Sequence, residues 1–258
     1  MNDRLGELLA SNDVLYTIVC RDATMTDVEL LAQAGCHIVW LDLEHSAMST
    51  TEALRLGRLV THLGMVPLAR VLELSRTHVQ RLLDGGIQVV SLPDIRSVEQ
   101  ARELVRLGKY PPLGGRGASS NSAGTGFTLG SDPAHTLREA NRATHLMALF
   151  ESDEGFEQLD AIVAVDGIDL FGVGTNDWSI GLGLFGPAAR SYLAPKIERI
   201  VTTVARAGKT MVMTPSSPEQ ARHYRDLGVR IFQLGVDVTL KRRALFDAIG
   251  PFQDTFGE

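Results

Sequence analysis

The chain has 258 residues, of which 44% are hydrophobic and 22% charged, with a formal net charge of −6. That balance fits a globular protein with a large core, and an acidic excess without a Lys/Arg stripe argues against a nucleic-acid partner. Cys20 and Cys36 lie in apolar surroundings and read as free thiols of a cytoplasmic protein, while no run approaches the roughly 18 apolar residues of a membrane span and residues 1–13 lack the apolar core of a signal segment.

Eight β-rich runs are expected along the chain, at 14–20, 37–43, 66–71, 87–92, 145–150, 168–173, 210–214 and 230–235. They are too continuously apolar for a one-sided sheet, so both faces should be covered. A local unit recurs before several of them: apolar helix residues, then glycine, then the run. Gly35, Gly86 and Gly228 hold the helix C′ position of this unit, where positive φ costs glycine little. Thr26-x-x-Glu29, Ser49-x-x-Glu52, Ser97-x-x-Gln100 and Ser217-x-x-Gln220 match capping boxes that start the helices, the last with Pro218 at the first helical position. Eight βα units in this length favour a closed (β/α)8 TIM barrel spanning residues 1–258 as one domain; a doubly wound open sheet is the alternative. Residues 111–134, rich in Gly, Ser and Pro, break the rhythm and are expected as a functional loop near the site or at a subunit boundary.

Four apolar runs end in groups suited to chemistry, as an enzyme site at the carboxyl ends of a parallel sheet requires. The second ends in Asp42-Leu43-Glu44-His45. A carboxylate against one ring nitrogen would make His45 a base near neutral pH; Asp42 and Glu44 stand beside it in sequence and Asp84 ends a neighbouring helix, with Asp42 or Asp84 as the expected orienter. The third ends in Arg70, a fork suited to a substrate carboxylate; an internal ion pair to Glu44 or Glu73 is the plainer reading. The fifth and sixth lead to Glu151 and Asp177, a carboxylate pair suited to a hard divalent cation such as Mg²⁺ or Mn²⁺, unless both only cap helices. The four lysines (Lys109, Lys196, Lys209 and Lys241) do not end strands. A Schiff-base mechanism is therefore not expected.

Taken together, Leu41–His45, Ala69-Arg70, Gln80–Gly86, Tyr110-Pro111-Pro112 with Gly115-Arg116-Gly117, Phe150-Glu151 and Gly172–Ser179 resemble the HpcH/HpaI family of metal-dependent class II pyruvate aldolases. The resemblance covers nearly the whole chain. It implies a TIM barrel that exchanges a C-terminal helix between subunits of a homo-oligomer, a trimer or hexamer. It also implies a divalent metal (Mg²⁺, Mn²⁺ or Co²⁺) on Glu151 and Asp177, with a 2-oxo acid and an aldehyde as small-molecule partners. His45 would then move the proton, Arg70 would bind oxyanion or carboxylate, and Gly174, Thr175 and Asn176 would add donors. The implied reaction is aldol cleavage or condensation of 4-hydroxy-2-oxo acids. Oxaloacetate-type decarboxylation, a specialised biosynthetic condensation and a non-catalytic binding barrel are the alternatives. The chain departs from the family pattern at Leu149, where a Gln is usual, at Thr175-Asn176, and near Val19–Arg21, where an aromatic is usual.

Overall fold

The computed structural model of the chain describes residues 2–256. Eight parallel strands close into a barrel in chain order: β1 Leu15–Cys20, β2 Ile38–Asp42, β3 Val66–Arg70, β4 Val89–Leu92, β5 His145–Phe150, β6 Leu170–Val173, β7 Thr210–Met213 and β8 Ile231–Val236. All eight fall on the expected runs. Each strand feeds a helix outside the barrel, so both strand faces are covered, which is why the runs carry no polar alternation.

Two apolar clusters fill the molecule. The inner one holds Leu15 and Val19, Ile38 and Trp40, Val66 and Leu68, Met147 and Leu149, and single residues from the other strands. Intervening residues such as Val39, Leu41, Ala69 and Phe150 pack outward against the helices. Period-two alternation continues to the strand ends, so the inward face that reads Ile38, Trp40 reads Asp42 next, and Val66, Leu68 is followed by Arg70. Register then does the placing. Asp42 lies directly opposite Arg70 across β2 and β3, and Cys20 lies opposite Leu41, which sets Arg21 beside Asp42 on the other side.

The amino end of the barrel is closed by the helix Arg4–Ser11, whose Leu5 and Leu8 join the inner cluster. Asp3 caps this helix through Gly6 N (2.9 Å) and meets His145 Nε2 at 2.8 Å, tying the plug to the start of β5. Asp169 lies 3.6 Å from His145 Nδ1 on the other side. Burial alone would lower the His145 pKa, but the hydrogen bonds and charges of Asp169 and Asp3 raise it above the ordinary imidazole value.

Three local expectations change. The second helix, Met25–Gln33, starts at Thr24 in a box with Asp27, two residues before Thr26. The Thr24 hydroxyl can reach Asp27 N only if Thr24 itself stays extended, so the helix begins one residue after it. Ser97 and Ser217 cap as expected, yet the partner carboxamides of Gln100 and Gln220 accept from Arg96 N and Ser216 N, one residue before the cap. Residues 111–134 follow a helix rather than a strand, which carries them to the amino end of the barrel. There Ala123 and Phe127 line a cavity with Arg4, Gly64 and Gly86. They are remote from the carboxyl-end site of their own chain.

Removing the Asp3 cap should cost about 1–2 kcal/mol of stability. The His145 pKa is raised on folding, so its contribution is complete below pH 6.5 and is lost as pH climbs through the folded value. Urea unfolding of Asp3→Ala and wild type across pH 5.5–8.5 should show the gap between them narrowing as pH rises.

Candidate active site

Asp42 is the buried centre of the carboxyl-end cluster, with no exposed surface. Arg70 grips it with two bonds, Nε to Oδ1 at 3.0 Å and Nη2 to Oδ2 at 2.7 Å, and Arg21 Nε adds a third at 2.9 Å. The backbone N–H groups of Glu44 and His45 also donate to Oδ1, so the turn after β2 folds over this carboxylate. Burial alone would push the Asp42 carboxyl up, but Arg70 and Arg21 hold it below the usual carboxylate range. Asp42 thus binds arginines with its side chain and reaches His45 only through the backbone.

The Arg70 guanidinium also pairs with Glu44 Oε2 at 2.9 Å and lies 4.0 Å from Glu151 Oε1. The internal ion pair to Glu44, the plainer of the two readings of Arg70, is present. His45 Nε2 sits 3.6 Å from Glu44 Oε2 and 3.7 Å from Asp177 Oδ2, at the half-open mouth. Glu44 and Asp177, rather than Asp42, are the carboxylates that face the ring. Asp84 is not brought to His45 within the chain. Its helix, Arg76–Asp84, runs back toward the amino ends of the strands, where Asp84 accepts from buried Arg116 Nη2 at 2.7 Å.

Glu151 follows β5 and is almost fully buried. Its Oε2 accepts from Asp94 N at 3.0 Å, offered by a residue held at φ 41, while its buried Oε1 has no hydrogen-bond partner. Burial pushes its pKa up to about 8; Arg70 pulls the other way, and Asp177 and Glu44 add to the rise. An unspent, desolvated carboxylate oxygen beside a second, exposed carboxylate could hold a hard divalent cation. Among the described residues no group of three or more His, Cys, Asp or Glu gathers around one point. Two carboxylates leave the other positions to water and substrate, the arrangement Mg²⁺ favours. Gly174 makes the room: a Cβ there would stand 2.1 Å from Glu151 Oε1. The next helix begins at Thr175, so the N–H groups of Thr175, Asn176 and Asp177 lie in its first turn, without intrahelical partners.

Glu151 and Asp177 stand between two cavities. The inner one, about 180 Å³, has a floor of Trp40, Met147, Leu149 and Val212, with Arg21 and Arg70 on its wall. The outer one, about 440 Å³, carries Glu44, His45, Asp94 and Arg96. No lysine lines either cavity.

Residues 20–244 match the model of the HpcH/HpaI aldolase/citrate lyase family. The chain belongs to this family. It is 31% identical over 241 residues to a hydroxypyruvate/pyruvate aldolase of Delftia acidovorans, covering 93% of this chain and 89% of that one. A 2-keto-3-deoxy-L-rhamnonate aldolase of Salmonella gallinarum is 28% identical, over 98% of this chain and 94% of the other. The crystal structure of an HpcH/HpaI aldolase from Desulfitobacterium hafniense superposes with a TM-score of 0.89 at 27% identity, covering 96% of both chains. The chain is accordingly an enzyme of the aldolase type, a lyase, built on the TIM barrel of its family.

Sequence reasoning missed two parts of the site. Arg21 carries no motif, and only the register with β2 reveals it. Asp94 acts through its backbone N–H and its left-handed φ, neither of which its identity announces. The expected ion pair of Arg70 with Glu44 is present. Gly174→Ala should keep the fold but reduce activity at least tenfold, because the new methyl occupies the space of Glu151 Oε1. Circular dichroism beside a lyase assay checks both halves.

Proposed function

We propose that this chain cleaves and forms 4-hydroxy-2-oxo acids, exchanging them with pyruvate or a related 2-oxo acid and an aldehyde, with a divalent cation held by Glu151 and Asp177. The observation that carries this reading is the buried, unpartnered Glu151 Oε1 next to Asp177, with His45 and Arg70 on the same rim. Membership of an aldolase family supports the reaction class. Bound there, the cation supplies Lewis-acid stabilisation for the negative charge that develops on the 2-oxo oxygen.

The chain's residues do the remaining work. His45 Nε2, at the boundary of open solvent and facing two carboxylates, takes the C4 hydroxyl proton directly or through one water as the C3–C4 bond breaks. The electron pair of that bond goes to C3, where a proton completes the methyl group of pyruvate. Arg70, immobilised by Asp42 and Glu44, keeps a fixed positive charge beside the developing oxyanion without having to reorganise. The apolar floor of Trp40, Met147 and Leu149 keeps water from the reactive carbon. The backbone N–H groups of Thr175 and Asn176 add donors for the substrate carboxylate in this reading, whereas that of Gly174 is spent on Phe150 O at 3.1 Å.

We further read the chain as a cytoplasmic homo-oligomer. No described helix is long and apolar enough to cross a membrane, and both cysteines are free thiols. The last helix, Asp237–Phe256, exposes Leu245, Ile249 and Phe252 at i, i+4, i+7 spacing, with Phe246 beside them, an apolar stripe suited to docking on a second copy. Phe246→Glu with Phe252→Glu should lower the mass found by light scattering; an unchanged mass rejects this assembly.

The central test is exchange of pyruvate methyl protons in D₂O. Exchange should need Mg²⁺ or Mn²⁺, stop with chelator, and fall at least 100-fold in His45→Ala and Glu151→Ala. Mn²⁺ affinity should weaken as pH drops from 8 to 6, by about tenfold per unit at most, because a proton competes for Glu151. Exchange that ignores chelator would overturn the assignment.

A further inference from the structure

The two carboxylates read above as cation ligands are not held alike. Glu151 is fixed directly, by Asp94 N on Oε2 and by the close Gly174 backbone beside Oε1. The Asp177 carboxylate accepts no hydrogen bond from any described residue and lies 3.7 Å from His45 Nε2. Its place is therefore set by the helix that carries it, Thr175–Gly181. That helix has one buried residue, Trp178, immediately after Asp177. The seat of the Trp178 ring thus governs where Asp177 stands.

That seat is fixed by a single carboxylate. Trp178 Nε1 donates to Asp153 Oδ1 at 3.0 Å. Asp153 opens the short helix Asp153–Glu157, two residues after Glu151, so it joins the two segments that bear the ligands. Two further donors hold it: Lys196 Nζ on Oδ1 at 2.6 Å and Tyr192 OH on Oδ2 at 2.5 Å. Both come from the helix Gly186–Arg206, one turn apart, and Lys196 Nζ also donates to Tyr192 OH at 3.1 Å. The Lys196 ammonium stands 4.4 Å from the Tyr192 ring centre, 4.9 Å from that of Phe156 and 5.6 Å from that of Trp178, within the reach of cation–π attraction. Phe156 packs against Trp178 in turn, ring centres 6.0 Å apart.

Asp153 lines the outer cavity with Trp178, yet both of its oxygens are already taken. A carboxylate so engaged has no lone pair to spare for substrate or for a proton in transit. Partly exposed ion pairs such as Asp153–Lys196 also add little to stability. What the arrangement supplies is geometry.

We propose that Asp153 is a positioning residue that sets the separation of Glu151 and Asp177 and, through it, the choice of cation. This rests on the reading above in which those two carboxylates hold the metal. Mg²⁺ demands near-ideal octahedral geometry at about 2.0–2.1 Å, whereas Ca²⁺ accepts irregular shells at about 2.3–2.6 Å. A pair locked at the spacing of a small ion rejects a larger one, and a pair free to spread accepts it.

The test reads cation binding rather than turnover. Mn²⁺ bound to the intact protein is measured by electron paramagnetic resonance, with Mg²⁺ and Ca²⁺ titrated as competitors and circular dichroism verifying that each variant is folded. The ratio of Kd for Ca²⁺ to Kd for Mg²⁺ should fall at least fivefold in Trp178→Phe, which keeps a ring and deletes the N–H, and in Asp153→Ala. Asp153→Asn keeps an acceptor for Trp178 and should stay within about twofold of wild type. A smaller fall in Trp178→Phe, or an equal weakening of all three cations, overturns the proposal. So does a loss in Asp153→Asn as large as in Asp153→Ala, which would trace the effect to charge. Absence of Mn²⁺ binding in the wild type removes the cation reading itself, while wild-type binding with unaltered ratios in the variants removes only the role of Asp153.

Discussion

The carboxyl-end architecture depends on one buried carboxylate shared by two arginines. Asp42 has no contact with solvent, and alone its charge would be costly to bury. Arg70 and Arg21 meet it from the neighbouring strands, and removing one partner of such a buried pair costs about 3–5 kcal/mol. The same pair replaced by well-packed apolar residues is often neutral or stabilising, so stability does not explain its presence. What it supplies is position. Arg70 cannot turn away from Glu44 and Glu151, and the turn that carries His45 is pinned by backbone bonds to the same carboxylate.

That constraint propagates through charge. Around the mouth stand Asp42, Glu44, Asp94, Glu151 and Asp177, with Arg21, Arg70 and Arg96 among them. Asp42 is satisfied by the arginines and stays ionised. Glu151 is desolvated and surrounded by further carboxylates, which push its pKa up to about 8. One fold position thus makes an anchor and the other a candidate binding site, although both are carboxylates at the inward end of a strand. The difference lies in what the adjacent strand presents: arginine on both sides of Asp42, Asp177 and a glycine cradle beside Glu151.

Much of this was legible in the chain. Eight apolar runs gave the barrel because runs covered on both faces leave few other architectures, and the groups ending β2, β3 and β5 stood out because polar residues interrupt those runs abruptly. The Thr26 box was misplaced because two overlapping Thr-x-x-acid patterns compete, and backbone conformation at Thr24 chooses between them. Residues 111–134 read as a functional loop near the site or at a subunit boundary; following a helix, they lie at the amino end of the barrel, which removes the first of these within the chain. Asp84 was read as a candidate orienter of His45, while within its own chain its helix carries it to Arg116 at the opposite end of the barrel.

The sequence by itself determined which residues point inward, since a two-residue period runs unbroken from Ile38 through Trp40 to Asp42 and from Val66 through Leu68 to Arg70. It also determined that a carboxylate pair and a histidine would sit at strand ends, because strand ends are where apolar runs stop. Only the tertiary structure decided which of these side chains meet. The stagger between strands, rather than any spacing in the chain, sets Arg21 beside Asp42, and residues from β2, β3 and β5 become neighbours only once the sheet has closed. Partners so remote in sequence leave no periodic trace, so their electrostatics could be read only after the barrel had closed.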